Sequence, residues 1–180
     1  SLVKMFKGVR SDAAFDVQGF WMHSVVCALC SKAVIRKLMH VKMMDPESAF
    51  CAGLLHDIGK LILDQFLPDD YRAVCAHARE RQVPLLVAEK ELLGINHAEL
   101  GKIVADKWAL PLDLEYCIVY HHLPGSADKI EDLVAAVHVA NWMAHTLDTG
   151  TLRDEVVTEP WSGASQILTL DRSQLERIRE

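Results

Sequence analysis

Two adjacent metal-competent side chains, His56 and Asp57, stand in the stretch Gly53-Leu54-Leu55-His56-Asp57-Ile58-Gly59-Lys60, where an apolar run delivers them and then breaks at glycine. Imidazole and carboxylate together suit a divalent ion. Neighbours on a helix point about 100° apart, however, so the pair can approach one ion only at a helix end or kink. Gly59 supplies flexibility for that break. The plain structural alternative is a capping aspartate beside a packed histidine. Further candidates follow along the chain: His23, His97, the pair His121-His122, and Asn141.

The elements that must position these residues are helical. From Phe20 to about Met39, the residues Met22, Val26, Leu29, Ala33 and Leu38 recur at helical spacing, with His23, Cys27, Cys30 and Val34 as a second stripe beside them. Asp45-Pro46-Glu47 starts the next helix, aspartate as N-cap and proline at the first helical position. That helix is expected to carry Phe50, Leu54 and Ile58 inward until Gly59; Leu61 to Phe66 continues it after a kink or starts another, which Pro68 ends. Asp69 to Gln82 reads as a scaffold helix packed through Tyr71, Val74, Cys75 and Ala78.

Pro84 opens a short helix that stops at Gly94, a C-cap glycine, and Asn96 with Glu99 makes a capping-box-like pair that places His97 in a first helical turn. The inward face is expected to continue through Gly101, Val104 and Trp108, with Gly101 leaving either a close helix contact or room for a ligand. Leu110-Pro111 starts a helix that leads through Leu114 and Ile118 to His121-His122, where Leu123-Pro124-Gly125 terminates it. Only one of two consecutive histidines can face a core; a charged histidine favoured by the helix dipole is the structural alternative.

Asp128 and Glu131 cap a long apolar helix from Leu133 to about Leu147, on which Asn141 follows Val134 and Val137. A buried amide there must find a backbone partner or an ion. His138 and His145 are assigned to ordinary packing or solvent. The expected architecture is all-α, a single compact domain of seven or so helices. It comprises a lead-in over 1–19, a helical core over 20–150, and an irregular segment with a short charged C-terminal helix over 151–180, the irregular part being Thr151 to Gln166.

Composition bounds the partners. The 180 residues, 51% of them apolar, suffice for a full core. Twenty-five acidic against nineteen basic residues give a net charge of -6, without any basic cluster interleaved with aromatics, so no direct nucleic-acid contact is expected. No 18-residue apolar run appears, so no membrane span is expected. Five cysteines without framework spacing point to a reducing, cytoplasmic setting, and Cys27-Ala-Leu-Cys30 lacks the second pair that a zinc tetrahedron needs. A start without methionine or signal-peptide pattern leads to the expectation of a fragment that carries no secretory signal.

The order His23, His56-Asp57, His97, His121-His122 and Asn141 resembles the HD superfamily of metal-dependent phosphohydrolases. More closely, Gly53-Leu-Leu-His-Asp-Ile-Gly59, Leu93-Gly-Ile-Asn-His-Ala-Glu-Leu-Gly101, Trp108-Ala-Leu-Pro111 and Tyr120-His-His122 resemble its HDOD branch, over about Phe20 to Leu147. The resemblance implies an all-helical HD-like fold and a bacterial signal-transduction output module, with a signalling protein or a small phosphorylated ligand as partner. The family usually has another helical segment before this core, so residues 1–19 would be the end of a truncated one.

The resemblance also implies a metal site. Asp57 would bridge two ions, His23, His56 and Asn141 completing one, and His97, His121 and His122 the other. Such donors suit one or two ions of Fe, Mn, Ni or Zn better than Mg or Ca. In a two-metal hydrolase, ions roughly 3.5–4 Å apart hold the attacking hydroxide and neutralise phosphate. Lys60, also a lysine in the HD-GYP branch, would bind the phosphate as a point charge, making Asp57 and Lys60 the catalytic candidates. Three departures favour a regulatory module over an enzyme. Asn141 replaces the late aspartate, Gly19 stands where some HD-GYP proteins have a carboxylate, and Leu-Pro-Gly follows His121-His122 in place of Gly-Tyr-Pro. The alternatives are a phosphohydrolase for a phosphomonoester, nucleotide or phosphodiester, and a merely hydrogen-bonded histidine core.

Overall fold

The computed structural model describes residues 15–38, 44–147, 162–170 and 173–174. The regular elements among them are all helical: α1 (Val17–Leu38), α2 (Pro46–Leu55), α3 (Ile58–Phe66), α4 (Pro68–Arg81), α5 (Leu85–Leu93), α6 (His97–Trp108), α7 (Leu112–Tyr120), a 3-10 turn (Pro124–Ser126), α8 (Glu131–Thr146) and α9 (Ser162–Leu168). The protein is therefore all-α. Most of the expected lead-in, the stretch 151–161 and nearly all of the expected C-terminal charged helix lie outside the described residues.

Local chemistry explains several boundaries. The Asp16 carboxylate accepts from the Gly19 amide at 2.9 Å ahead of α1, and Asp45 accepts from the Glu47 and Ser48 amides at the start of α2. Gly94, at φ 71°, closes α5 in the left-handed conformation that glycine adopts without steric penalty. Two residues later the reciprocal capping box of Asn96 and Glu99 opens α6.

Packing corrects some expected faces. In α1, Met22 and Leu29 point to solvent, while His23, Cys27, Ala28, Ser31 and Val34 face inward. The small residues decide this, because α1 and α2 approach backbone to backbone. A Cβ on Gly53 would lie 2.6 Å from Ser31 Oγ and 2.8 Å from Ala28 Cα. For the same reason α2 buries Ala49, Ala52 and Gly53, whereas Phe50 and Leu54 are only partly covered.

The chain breaks at His56 and Asp57, and Gly59 lies within the first turn of α3, so flexibility at Gly59 is not what makes the break. Its role is close approach: a Cβ there would collide with the His97 carbonyl oxygen. Gly101 likewise serves contact, since a Cβ would meet Ile118 Cγ2 at 2.5 Å; of the two alternatives for it, the close helix contact is the one present. Trp108 lies outside the core, 36% exposed, and α6 turns Ala98, Gly101 and Ala105 inward instead. At α8 the N-cap position is Ile130 at φ 58° with no side-chain cap, and Asp128 accepts from the Tyr116 hydroxyl. Ser162–Leu168 is helical where irregular chain is expected, because Ala164 and Leu168 find burial against the core that α8 dominates.

Among the described residues, beside a small apolar cluster of Cys27, Ala140 and Ala144, two large ones form. One gathers the C-terminal half of α1 with α2, α7, α8 and α9; the other gathers α3, α4, α5 and α6 with Phe20 of α1 and Ile118 of α7. The candidate residues lie along the seam between these clusters.

Candidate metal centre

Asp57 is the residue on which the site converges. At φ -101° and ψ 12° it occupies the N-cap position of α3, but its side chain makes no capping hydrogen bond. The capping alternative is thereby ruled out. The carboxylate turns into the protein, where it is 1% exposed, and the backbone break lets it share a centre with neighbouring His56. Oδ2 lies 2.9 Å from Lys60 Nζ, 3.2 Å from His56 Nε2 and 3.8 Å from His23 Nε2. Oδ1 lies 3.3 Å from His97 Nε2 and 3.4 Å from His121 Nε2.

A single device aims His56 and His121. Each follows a helix end, where carbonyls lack intrahelical partners. The His56 Nδ1–H donates to Gly53 O at 2.8 Å, and the His121 Nδ1–H donates to Ile118 O at 3.0 Å. A carbonyl can only accept, so Nδ1 carries the proton and Nε2 points at Asp57. For His97 the equivalent partner is Glu89, a fully buried carboxylate on α5 that accepts from the His97 Nδ1–H at 2.6 Å and from its amide at 2.8 Å. His122 meets His97, Nε2 to Nε2, at 2.9 Å.

Electrostatics separates the rings. Burial, with His56 and His145 alongside, pushes His23 down to about 3. Burial likewise pushes His121 down to about 4 and His122 well below the ordinary histidine value. For His56 burial opposes charge, but the Asp57 carboxylate outweighs it and holds the ring well above its ordinary value. Burial also opposes ionisation of Asp57, yet His56 and Lys60 hold its carboxyl well below the usual range.

Neutral His121 thus aims an Nε2 lone pair at a carboxylate oxygen with no donor between them, and this nitrogen has no hydrogen-bond partner. His23 Nδ1 and Nε2 and Asn141 Oδ1 are buried without hydrogen-bond partners too. Such orphaned polar atoms, one of the two His23 nitrogens being an N–H donor and the others acceptors, cost about 1–3 kcal/mol each. A cation among them removes the conflict, so the donor set fits a metal ion. Two groups have ligand atoms within 4.8 Å of one another: Asp57 with His97, His121 and His122, and Asp57 with His23 and His56.

Of the residues expected, His23, His56, Asp57, Lys60, His97, His121 and His122 are brought together, and Asn141 is placed by burial alone. His23, His56, Asp57, Lys60, His97 and His121 are buried, His122 is partly covered, and Asn141 is 9% exposed on the inner face of α8. Sequence reasoning missed Glu89, whose signal was a carboxylate on the inner face of α5 eight residues before His97. His138 and His145, assigned to packing or solvent, are half-buried and pack against members of the centre. The His138 Nδ1–H donates to the His121 carbonyl at 2.7 Å, and the His145 ring lies 4.4 Å from that of His23. Their spacing from Asn141, three back and four on, was the available signal. Cys27 and Cys30 are free thiols, buried and partly buried, as small apolar residues would be.

Helices meeting around a His/Asp cluster at their ends define the HD-like class, and the family is more particular. The family model for the HDOD domain matches residues 1–124, and the chain belongs to that family. Among solved structures, an HDOD domain protein of unknown function from Geobacter sulfurreducens superposes with a TM-score of 0.74 at 23% identity, over 99% of this chain and 56% of that one. A response regulator from Methylococcus capsulatus gives 0.64 at 21% identity, over 92% and 62%. A protein from Shewanella amazonensis, provisionally described as a phosphohydrolase, gives 0.68 at 28% identity, over 91% and 60%. The chain thus spans a little over half the length of these relatives. No helix among the described residues is long and apolar enough to cross a membrane.

Proposed function

We propose that this chain is a metal-binding HDOD module for signal transduction in bacteria. In this reading the metal pins the α2–α3 turn, the start of α6 and the end of α7 into one arrangement that a partner recognises. The partner is a cytoplasmic signalling protein or a small phosphorylated ligand. Asp57, His97, His121, His122, His23, His56 and Asn141 are the candidate ligands. A bound Fe, Mn, Ni or Zn ion would neutralise the carboxylate and satisfy the converging nitrogens.

Burial is the observation that favours a module over a hydrolase. Asp57, His56, His97 and Lys60 are each at most 1% exposed, so the lysine suggested for a substrate phosphate is itself sealed in. Asn141, a neutral side chain where HD enzymes have an aspartate, further weakens the hydrolase set. The test is hydrolysis of bis(p-nitrophenyl) phosphate and p-nitrophenyl phosphate by folded protein loaded in turn with Mn, Fe, Ni and Zn. Rates no higher than those of Asp57→Ala are expected. Turnover that vanishes in that variant would make the protein an enzyme.

A further inference from the structure

Lys60 touches the same Asp57 oxygen that a metal on the His23/His56 side would need. Its Nζ lies 2.9 Å from Oδ2, nearer than His56 Nε2 at 3.2 Å or His23 Nε2 at 3.8 Å. The lysine stem is buried and rises from the first turn of α3, three residues after Asp57, so the helix itself delivers the ammonium to that oxygen. On the other side, Oδ1 lies beside the ring nitrogens of His97 and His121, with His122 next to His97.

We infer that the site holds one metal ion, bound by Asp57 Oδ1, His97, His121 and His122, and that the Lys60 ammonium stands in for the second ion at Oδ2. This rests on the metal-binding reading above and decides its nuclearity. The ligand chemistry agrees. His97 is braced by the Glu89 carboxylate and His121 by a backbone carbonyl, whereas His23 has no hydrogen-bond partner on either ring nitrogen. The fourth donor on the Oδ2 side would be Asn141, a neutral amide.

Charge balance agrees as well. Asp57 and Glu89 are the buried acids among the described residues. Counting the carboxylates, the ammonium and the ions and leaving the rings aside, two divalent ions plus the ammonium would set five positive charges against two negative, and one ion three against two. Uncompensated charge in a buried site carries a heavy desolvation penalty, so the ammonium and a second divalent ion exclude each other.

The experiment is metal stoichiometry by elemental mass spectrometry after equilibrium dialysis of untagged protein against Mn(II) or Zn(II). Wild type, His23→Ala, His122→Ala and Lys60→Met are compared, with near-UV circular dichroism checking the fold. One ion per chain is expected in wild type and in His23→Ala, none in His122→Ala, and two in folded Lys60→Met. Two ions in wild type, or one that persists in His122→Ala and is lost from His23→Ala, overturns the inference while leaving metal binding intact. Folded Lys60→Met that stays at one ion overturns the role given to the lysine. No ion in folded wild type sinks the metal-binding reading itself. Should Lys60→Met fail to fold, the wild-type and histidine-variant stoichiometries still decide where the ion lies.

Discussion

The two oxygens of Asp57 face differently built surroundings. Around Oδ1, the far nitrogens of His97 and His121 are tied down by Glu89 and by the Ile118 carbonyl. Around Oδ2, only His56 is tied, to the Gly53 carbonyl; His23 is held by packing against His56 and His145, and a lysine supplies positive charge. The difference teaches that a histidine is aimed by what its far nitrogen binds. A side rich in such braces is prepared for an ion, and one with an ammonium in place already has its cation.

The largest effect that would test this contrast is Asp57→Ala. It leaves the Lys60 ammonium buried without its carboxylate, and one-sided removals of that kind destabilise by about 3–5 kcal/mol. Metal content should fall to background, as elemental analysis would report beside urea unfolding. A variant that kept its ion would mean that neither side depends on Asp57.

Gly59→Ala comes next. Its methyl group would meet backbone, the His97 carbonyl, so overpacking should reach the upper part of the usual range of about 1–3 kcal/mol and displace His97. Gly94→Ala is the control: nothing lies within 4 Å of its Cβ position, and only the positive φ is strained, at about 1–2 kcal/mol. Equal losses in urea titrations would show that close approach is not what positions His97.

Glu89→Gln should leave the fold in place and lower metal affinity by about 10–100-fold, the usual effect of removing a partner behind a histidine ligand. A competition titration with a fluorescent chelator measures it. Unchanged affinity would mean that the brace on the Oδ1 side is inconsequential.

The metal-free protein should also lose stability on acidification. His23 and His121 titrate at about 3 and about 4 when folded, against about 6.5 when unfolded. The unfolded chain therefore binds more protons between those values. The stability these rings contribute is complete above about 6.5 and drains away as pH falls toward about 4 for His121 and about 3 for His23. Above 6.5 the slope from His56 is opposite, since the folded ring holds its proton longer than the unfolded one. Melting temperature against pH should accordingly peak near neutrality, and a monotonic rise through pH 8 would contradict the placement of His56 beside the carboxylate.

The smallest effect is Asn96→Ala, about 1 kcal/mol for the lost cap of α6, with a modest loosening of His97. Hydrogen exchange at the amides of the first turn would detect it.

Sequence alone determined the all-helical class, the helix starts at Asp45-Pro46 and Asn96, the stop at Gly94, and the order of histidines and aspartate along the chain. These are local: capping needs only neighbouring residues, and helical periodicity repeats every few positions. Tertiary structure decided which face of α1 and α6 turns inward, because the close approaches at Gly53, Gly59 and Gly101 depend on backbones distant in the chain. It alone decided that Glu89 stands behind His97, that His138 and His145 pack against His121 and His23, and that Lys60 lies on one oxygen of Asp57. Such assignments follow from where the N-termini of α3 and α6 meet. No spacing along the chain specifies which oxygen of a carboxylate a lysine will reach, since that depends on the direction in which the helices carry both side chains into one seam.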